Sequence, residues 1–177
     1  NKICDICIIT FSHEVIRWAL EHLKCRKTAE IRSINGNRPI YFAEVDGKKI
    51  AFYMTFISPG AAATCVEEAR CLTGADHYIV FGSCGSLNPG VTDGKVIVPV
   101  QAYRDEGLSY HYLAPSEYIE LENAGLVADF MEKSKVPYVT GKIWTTEALY
   151  RETKNKVERL KKDGCIAVEM EVAALEA

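Results

Sequence analysis

Long apolar runs, basic stretches and repeats are all missing from this chain of 177 residues. No hydrophobic segment is long enough to cross a bilayer as a helix. No charged stretch followed by an apolar one marks a secretory leader at the start. Net charge is -3 and no Lys/Arg run stands out, so neither a nucleic acid nor an anionic membrane is expected as partner. Heptads, internal repeats and low-complexity tracts are absent, which excludes coiled-coil and solenoid architectures. With 48% hydrophobic and 25% charged residues, the chain is neither disordered nor collagen-like. Its length fits one domain around one sizeable core.

Metal-ligand spacing is missing too. Cys4 and Cys7 form a Cys-x-x-Cys, but no second Cys/His pair matches it, and strand alternation is expected to send the two thiols to opposite faces. His13, His22 and His77 stand apart from one another, so no metal site is expected. The cysteine count, seven, is odd. Most of these residues sit in apolar or helical settings, where a free thiol behaves as a small hydrophobe. That usage suggests a reducing, cytoplasmic environment.

What is present alternates between strand and helix signals. Ile3–Thr10 reads as a buried strand, and Ser12 precedes the amphipathic run Val15, Ile16, Ala19, Leu20, Leu23. Asp46-Gly47 between two apolar runs signals a hairpin. Ser58-Pro59-Gly60 breaks the pattern before a helix from about Ala61 to Leu72. Further strands are expected at Tyr78–Phe81, Lys95–Val100, Tyr138–Trp144 and Ile166–Val168, and further helices at Asn123–Lys133, Arg151–Lys162 and from Met170 onward. The pattern predicts an α/β fold, a single layered domain with a largely parallel sheet.

Three segments carry chemistry. Tyr78–Phe81 has no polar face, as expected of a strand inside a covered parallel sheet. It opens into Gly82-Ser83-Cys84-Gly85-Ser86, a small-residue turn whose amides can cradle an anion at the edge where open α/β sheets bind ligands. An ordinary tight turn is the plainer reading. Arg104-Asp105-Glu106-Gly107-Leu108-Ser109-Tyr110-His111-Tyr112 collects charged, imidazole and phenol groups suited to proton transfer or to a polar heterocycle. A surface loop with a local salt bridge is its alternative. Val168-Glu169-Met170-Glu171-Val172 sets two carboxylates in an apolar segment. A carboxylate there can accept two vicinal hydroxyls while Met packs on a sugar face. Trp144 and Tyr150 offer stacking surfaces for a planar base, or core aromatics.

Taken together and in order, these segments, with Trp144-Thr145-Thr146 and Ala173-Ala174-Leu175, resemble the nucleoside phosphorylase family. This is the purine nucleoside and uridine phosphorylase superfamily, and the likeness leans toward its uridine-phosphorylase-like bacterial branch. The resemblance implies one phosphorylase-like domain over residues 1–177, with a central mixed, largely parallel sheet flanked by helices. It implies a pentosyltransferase that cleaves the N-glycosidic bond of a nucleoside with phosphate, giving free base and pentose 1-phosphate. Phosphate is then a co-substrate and no cofactor is expected. Gly82, Ser83 and Gly85 would hold phosphate, Glu169, Met170 and Glu171 the ribose, and Trp144, Tyr150, Arg104 and His111 would border the base. A homo-oligomer, dimer or hexamer, is expected.

The chain departs from the family pattern at several points. Val80 stands where an arginine usually grips phosphate, and Phe11-Ser12-His13-Glu14-Val15 replaces a Gly-Asp-Pro-type loop. Arg38 is a candidate for an arginine lent by a neighbouring subunit. The family's catalytic acid is expected beyond Ala177, with the C-terminal strand and helix, and the sequence starts without Met. A phosphate without guanidinium partners is weakly held. A nucleoside hydrolase using water, or an inactive nucleoside-binding protein, therefore stands beside the phosphorylase as an alternative.

Overall fold

A computed structural model describes residues 2–177. The chain is α/β, with its strands shared between two five-stranded mixed sheets and its helices flanking them. It divides into two compact units, one reaching to Ile57 and taking up again over Ala61–Ser83, the other made of Ser58–Gly60 and Cys84–Ala177.

The first unit contains β1 (Ile6–Thr10), α1 (His13–His22), β2 (Arg26–Ile31), β3 (Arg38–Val45), β4 (Lys48–Met54), most of α2 (Pro59–Thr73) and β5 (His77–Phe81). Its sheet runs β2-β3-β4-β1-β5, with β1 parallel to both neighbours and β3 antiparallel to both of its own. Alternation along β1 divides the core. Cys7 and Ile9 pack with Cys65 and Ala69 of α2, while Ile8 joins Ala19 of α1 and Phe52. The Asp46-Gly47 hairpin joins β3 to β4 as expected.

Two expectations need correction here. Tyr78–Phe81 is the edge of its sheet rather than an inner strand, and Ile79 and Phe81 are 49% and 45% exposed. An apolar run alone does not distinguish an edge from a centre, and β1 takes the inner position. Cys4 and Cys7 also share one core cluster, because β1 begins only at Ile6 and Cys4 lies outside its alternation. Both are free, buried thiols.

The second unit contains β6 (Gly85–Ser86), α3 (Pro89–Thr92), β7 (Val96–Asp105), a 3-10 turn (Ser109–His111), β8 (Tyr118–Glu120) and α4 (Ala124–Lys133). It continues with β9 (Tyr138–Thr146), a 3-10 turn (Leu149–Arg151), α5 (Lys154–Lys162), β10 (Cys165–Glu169) and α6 (Val172–Glu176). The order β6-β10-β9-β7-β8 sets three parallel strands between two antiparallel edges. One face buries Leu87, Trp144, Leu160, Cys165 and Val168. The other buries Ala102, Ile119, Ile143, Ala167 and Ala173. β7 runs to Asp105, so Arg104 and Asp105 end a strand instead of opening a loop. No helix among the described residues is long and apolar enough to cross a membrane.

Candidate functional site

Because β7, β9 and β10 are parallel, their carboxyl ends fall on one edge of the second unit's sheet, the edge where such sheets bind ligands. Arg104 of β7 lies opposite Thr145 of β9, and Thr145 lies opposite Glu169 of β10. The next row inward is Tyr103, Trp144 and Val168. The registers thus bring the polar ends of three expected segments side by side.

Glu169 acts on the backbone. Its Oε2 accepts the N–H groups of Glu171 at 2.6 Å and Val172 at 2.8 Å, and its Oε1 accepts the Thr145 hydroxyl. The Thr145 oxygen in turn accepts the Ala173 N–H at 3.0 Å. A helix N-terminus leaves its first N–H groups without intrahelical partners, and here Glu169 and Thr145 satisfy three of them. Burial pushes the Glu169 carboxyl above its usual range, and the Thr145 hydroxyl and the two amides oppose that shift. A carboxylate committed in this way positions the start of α6 and has little capacity left for a sugar.

Glu171 is 7% exposed, and its Oε1 accepts the Ser58 N–H at 2.8 Å. Burial raises its pKa as well, against the pull of the Ser58 amide. Ser58 holds φ +122, a region that a residue with a Cβ enters only at a cost of order 1–3 kcal/mol. Met170 sits half-buried between the two glutamates.

The glycine turn reaches this segment through the sheet. Gly85 and Ser86 pair antiparallel with Val168 and Ala167, and the charge of Glu169 adds to the burial that raises the Cys84 thiol's pKa. A Cβ on Gly85 would come within 3.0 Å of Val168 Cγ1, and one on Gly82 within 2.9 Å of Phe11 Cδ2. Both glycines are therefore explained by close packing. Gly82 and Ser83 close the first unit and are exposed, whereas Gly85 belongs to the second.

The residues expected around a base are dispersed. Trp144 is 0% exposed, and its Nε1–H donates to Asp105 Oδ2 at 2.9 Å. Lys156 also donates to that oxygen, at 2.6 Å, and lies over the indole. Such an indole has no open face for a base, so the stacking role expected of Trp144 is corrected to a core role. Arg104 is likewise turned inward. Its Nε–H donates to Ser109 Oγ at 2.8 Å and its Nη1 to Ala114 O and Ser116 Oγ at 2.9 and 2.8 Å. The Ser109 hydroxyl in turn donates to Glu106 Oε1, and Glu106 Oε2 accepts the Ser109 N–H at 2.9 Å. Arg104, Glu106 and Ser109 are all buried, and the clasp ties the segment after β7 back onto the end of that strand. The role of Arg104 beside a base is thus corrected to a structural one. Tyr150, 96% exposed, and exposed His111 remain open to a ligand.

Sequence reasoning gave no role to Ser58 and took Thr145, with Thr146, only as a candidate cap of the turn that follows. Ser58 stood only in a pattern break, and its strain is invisible in composition. Thr145 stood inside a motif, and its double role appears only once β9 and β10 are aligned. In the first unit, Arg38 stacks on Phe56 at 3.7 Å, and its buried Nε has no hydrogen-bond partner among the described residues. No group of three or more His, Cys, Asp or Glu among the described residues is placed to hold a metal ion.

The family model described as "Phosphorylase superfamily" matches residues 5–176. A guanosine phosphorylase of Halorubrum lacusprofundi is 29% identical over 153 residues, covering 83% of this chain and 61% of that protein. A DeoD-type purine nucleoside phosphorylase of Bacillus subtilis is 25% identical over 159 residues, covering 88% of this chain and 65% of its own length. An uncharacterized protein of Acanthamoeba polyphaga mimivirus is 27% identical over 141 residues, covering 80% and 55%. The chain thus spans less than two thirds of the length of these relatives. The crystal structure of uridine phosphorylase from Vibrio fischeri superposes with a TM-score of 0.82 at 26% identity, covering 97% of this chain and 71% of that one.

Proposed function

Because this chain belongs to the phosphorylase superfamily, we propose that it is a pentosyltransferase, cleaving the N-glycosidic bond of a nucleoside with inorganic phosphate. The observation that carries this reading is the buried Glu171 carboxylate, held by a strained backbone amide just past β10, the strand that pairs with Gly85 and Ser86 of the glycine turn. Fixed acceptors of this kind suit the vicinal hydroxyls of a pentose. Glycosidic cleavage builds positive charge at the anomeric carbon, and groups held in place beforehand stabilise it best.

In this reading Glu171 accepts the ribose hydroxyls and Met170 packs on the sugar. Glu169 takes part by holding the turn that presents them. Gly82, Ser83 and Gly85 supply amides and a hydroxyl to phosphate. Tyr150 and His111 border the base. Phosphate is the co-substrate and no cofactor takes part. Residues 1–177 act as a phosphorylase-like domain, in the cytoplasm, as part of a homo-oligomer.

Val80 favours a second reading. With Val80 where the family's arginine is expected, phosphate is held mainly by amides, and water becomes the competing acceptor. One assay separates the possibilities. Uridine, inosine and guanosine are incubated with the protein, with and without phosphate, and free base and pentose 1-phosphate are quantified. Phosphate-dependent release supports the phosphorylase. Equal release without phosphate supports the hydrolase, and calorimetric binding with no release supports an inactive binder. No binding and no release would overturn all three.

A further inference from the structure

The connection between β2 and β3 holds the one Asn-Gly pair of the sequence, Asn35-Gly36. β2 ends at Ile31 and β3 starts at Arg38, so neither residue belongs to the strand ladder. Ser33 to Asn37 are all exposed, Ile34 completely. The Asn35 N–H donates to Ser33 Oγ at 3.2 Å and the Gly36 N–H to Ser33 O at 3.1 Å. Water reaches both bonds, and a segment with so few buried contacts opens with little loss of free energy. Gly36 carries no Cβ to hinder approach to its main-chain nitrogen, and its surroundings are empty, since a Cβ built there would meet nothing within 4 Å.

We propose that Asn35 is a site of spontaneous deamidation. When the turn opens, the Gly36 nitrogen gives its proton to water and attacks Asn35 Cγ. The new N–Cγ bond closes a cyclic succinimide. The Cγ–Nδ2 bond breaks, and Nδ2 takes up a proton and leaves as ammonia. Water then adds to either ring carbonyl and opens the ring to aspartate or isoaspartate. One water is consumed, one ammonia is released, and nothing is oxidised or reduced. The other asparagines lack this combination. Asn88 precedes Pro89, whose nitrogen bears no hydrogen. Asn155 lies inside α5, and Asn37 donates its Nδ2 to Glu30 at 3.2 Å. Asn1, Asn37, Asn123 and Asn155 are each followed by a residue with a Cβ. The product sets a new carboxylate between Arg32 and Arg38 in the sequence. Isoaspartate also routes the main chain through a side-chain carbon, so the turn at Ser33 does not close as before. The hairpin tip thus carries a slow, one-way charge switch, which stands whether or not the chain processes nucleosides.

Peptide mapping by mass spectrometry, after incubation of the intact chain at mildly alkaline pH, tests it. The peptide with Asn35 should gain about 1 Da, at least about tenfold faster than any peptide carrying another asparagine. The rate should climb nearly tenfold per pH unit, as loss of a weakly acidic amide proton requires. Asp46-Gly47, Asp93-Gly94 and Asp163-Gly164 can isomerise through the same ring without a change in mass, so the gain reports asparagine alone. Enzymatic carboxyl methylation of the isolated Asn35 peptide should detect isoaspartate, the mark of the ring. Gly36→Ala should slow the conversion at least about tenfold, and Asn35→Gln should abolish it, with circular dichroism verifying that both variants fold. A folded chain whose Asn35 peptide keeps its mass while the urea-unfolded chain converts overturns the proposal, because the turn then protects the site. Conversion no faster than at Asn37, or without isoaspartate, overturns it as well.

Discussion

Thr145→Val replaces one hydroxyl by a methyl group of nearly the same volume, and the structure sets its cost. Thr145 and Ala173 are both 0% exposed. The substitution strips the acceptor from the buried Ala173 N–H and the donor from the Glu169 carboxylate. An unsatisfied buried amide costs about 1–3 kcal/mol, and a bond to a charged group contributes about 1.5–3 kcal/mol. The two losses share one atom and do not simply add, so about 2–4 kcal/mol is expected. That is a large share of a typical stability of about 5–15 kcal/mol. Urea unfolding followed by circular dichroism measures the loss. Amide hydrogen exchange at Ala173 should accelerate in parallel. Thr146→Val is the control, since its hydroxyl accepts the Ala148 N–H at a longer 3.3 Å and holds no carboxylate among the described residues. A Thr145→Val loss below about 0.5 kcal/mol, or one no larger than the control's, would refute the view that Thr145 and Glu169 hold the start of α6.

Three further outcomes follow from the same geometry. Ser58→Gly should raise stability by about 1 kcal/mol, or the melting temperature by about 2–4 °C, by relieving the φ +122 strain against glycine's greater chain entropy. A lower melting temperature would show that the Ser58 side chain outweighs the strain. Ser109→Ala should cost roughly 2–4 kcal/mol, because Arg104 and Glu106 meet through its hydroxyl and both would lose a buried partner; urea midpoints within experimental error of the parent's would dismiss the clasp. Glu171 has its pKa raised from the ordinary 4.5, so its contribution to stability is fully present below that value and fades as pH rises through the folded pKa. Glu171→Gln, neutral throughout, should flatten this part of the pH–stability curve, and an unchanged curve would mean that burial does not govern this carboxyl.

Much of the fold was legible in residue order. The Asp46-Gly47 pair marked the hairpin, and alternating apolar runs marked β1, β9 and β10. The motifs around Gly82, Arg104, Trp144 and Glu169 pointed to the phosphorylase family. The errors share one cause. Tyr78–Phe81, Trp144 and Arg104 were each read from local character, while burial is decided by distant neighbours. β1 takes an inner place in the sheet and leaves Tyr78–Phe81 at the edge. Leu160, Cys165 and Val168 close over Trp144. Ser109 and Ser116 absorb the Arg104 guanidinium.

The amino-acid order by itself determined the α/β class, the turn chemistry and the family, because these depend on short-range periodicity and on residue types in series. Only tertiary structure separated the two glutamates of the Val-Glu-Met-Glu segment. Strand register carries Glu169 to Thr145 and the free amides of α6, whereas Glu171 turns to the Ser58 amide. The two carboxyl groups are identical in composition, and hydrogen bonding across residues far apart in sequence gives them different partners: the start of α6 for Glu169 and the Ser58 amide for Glu171.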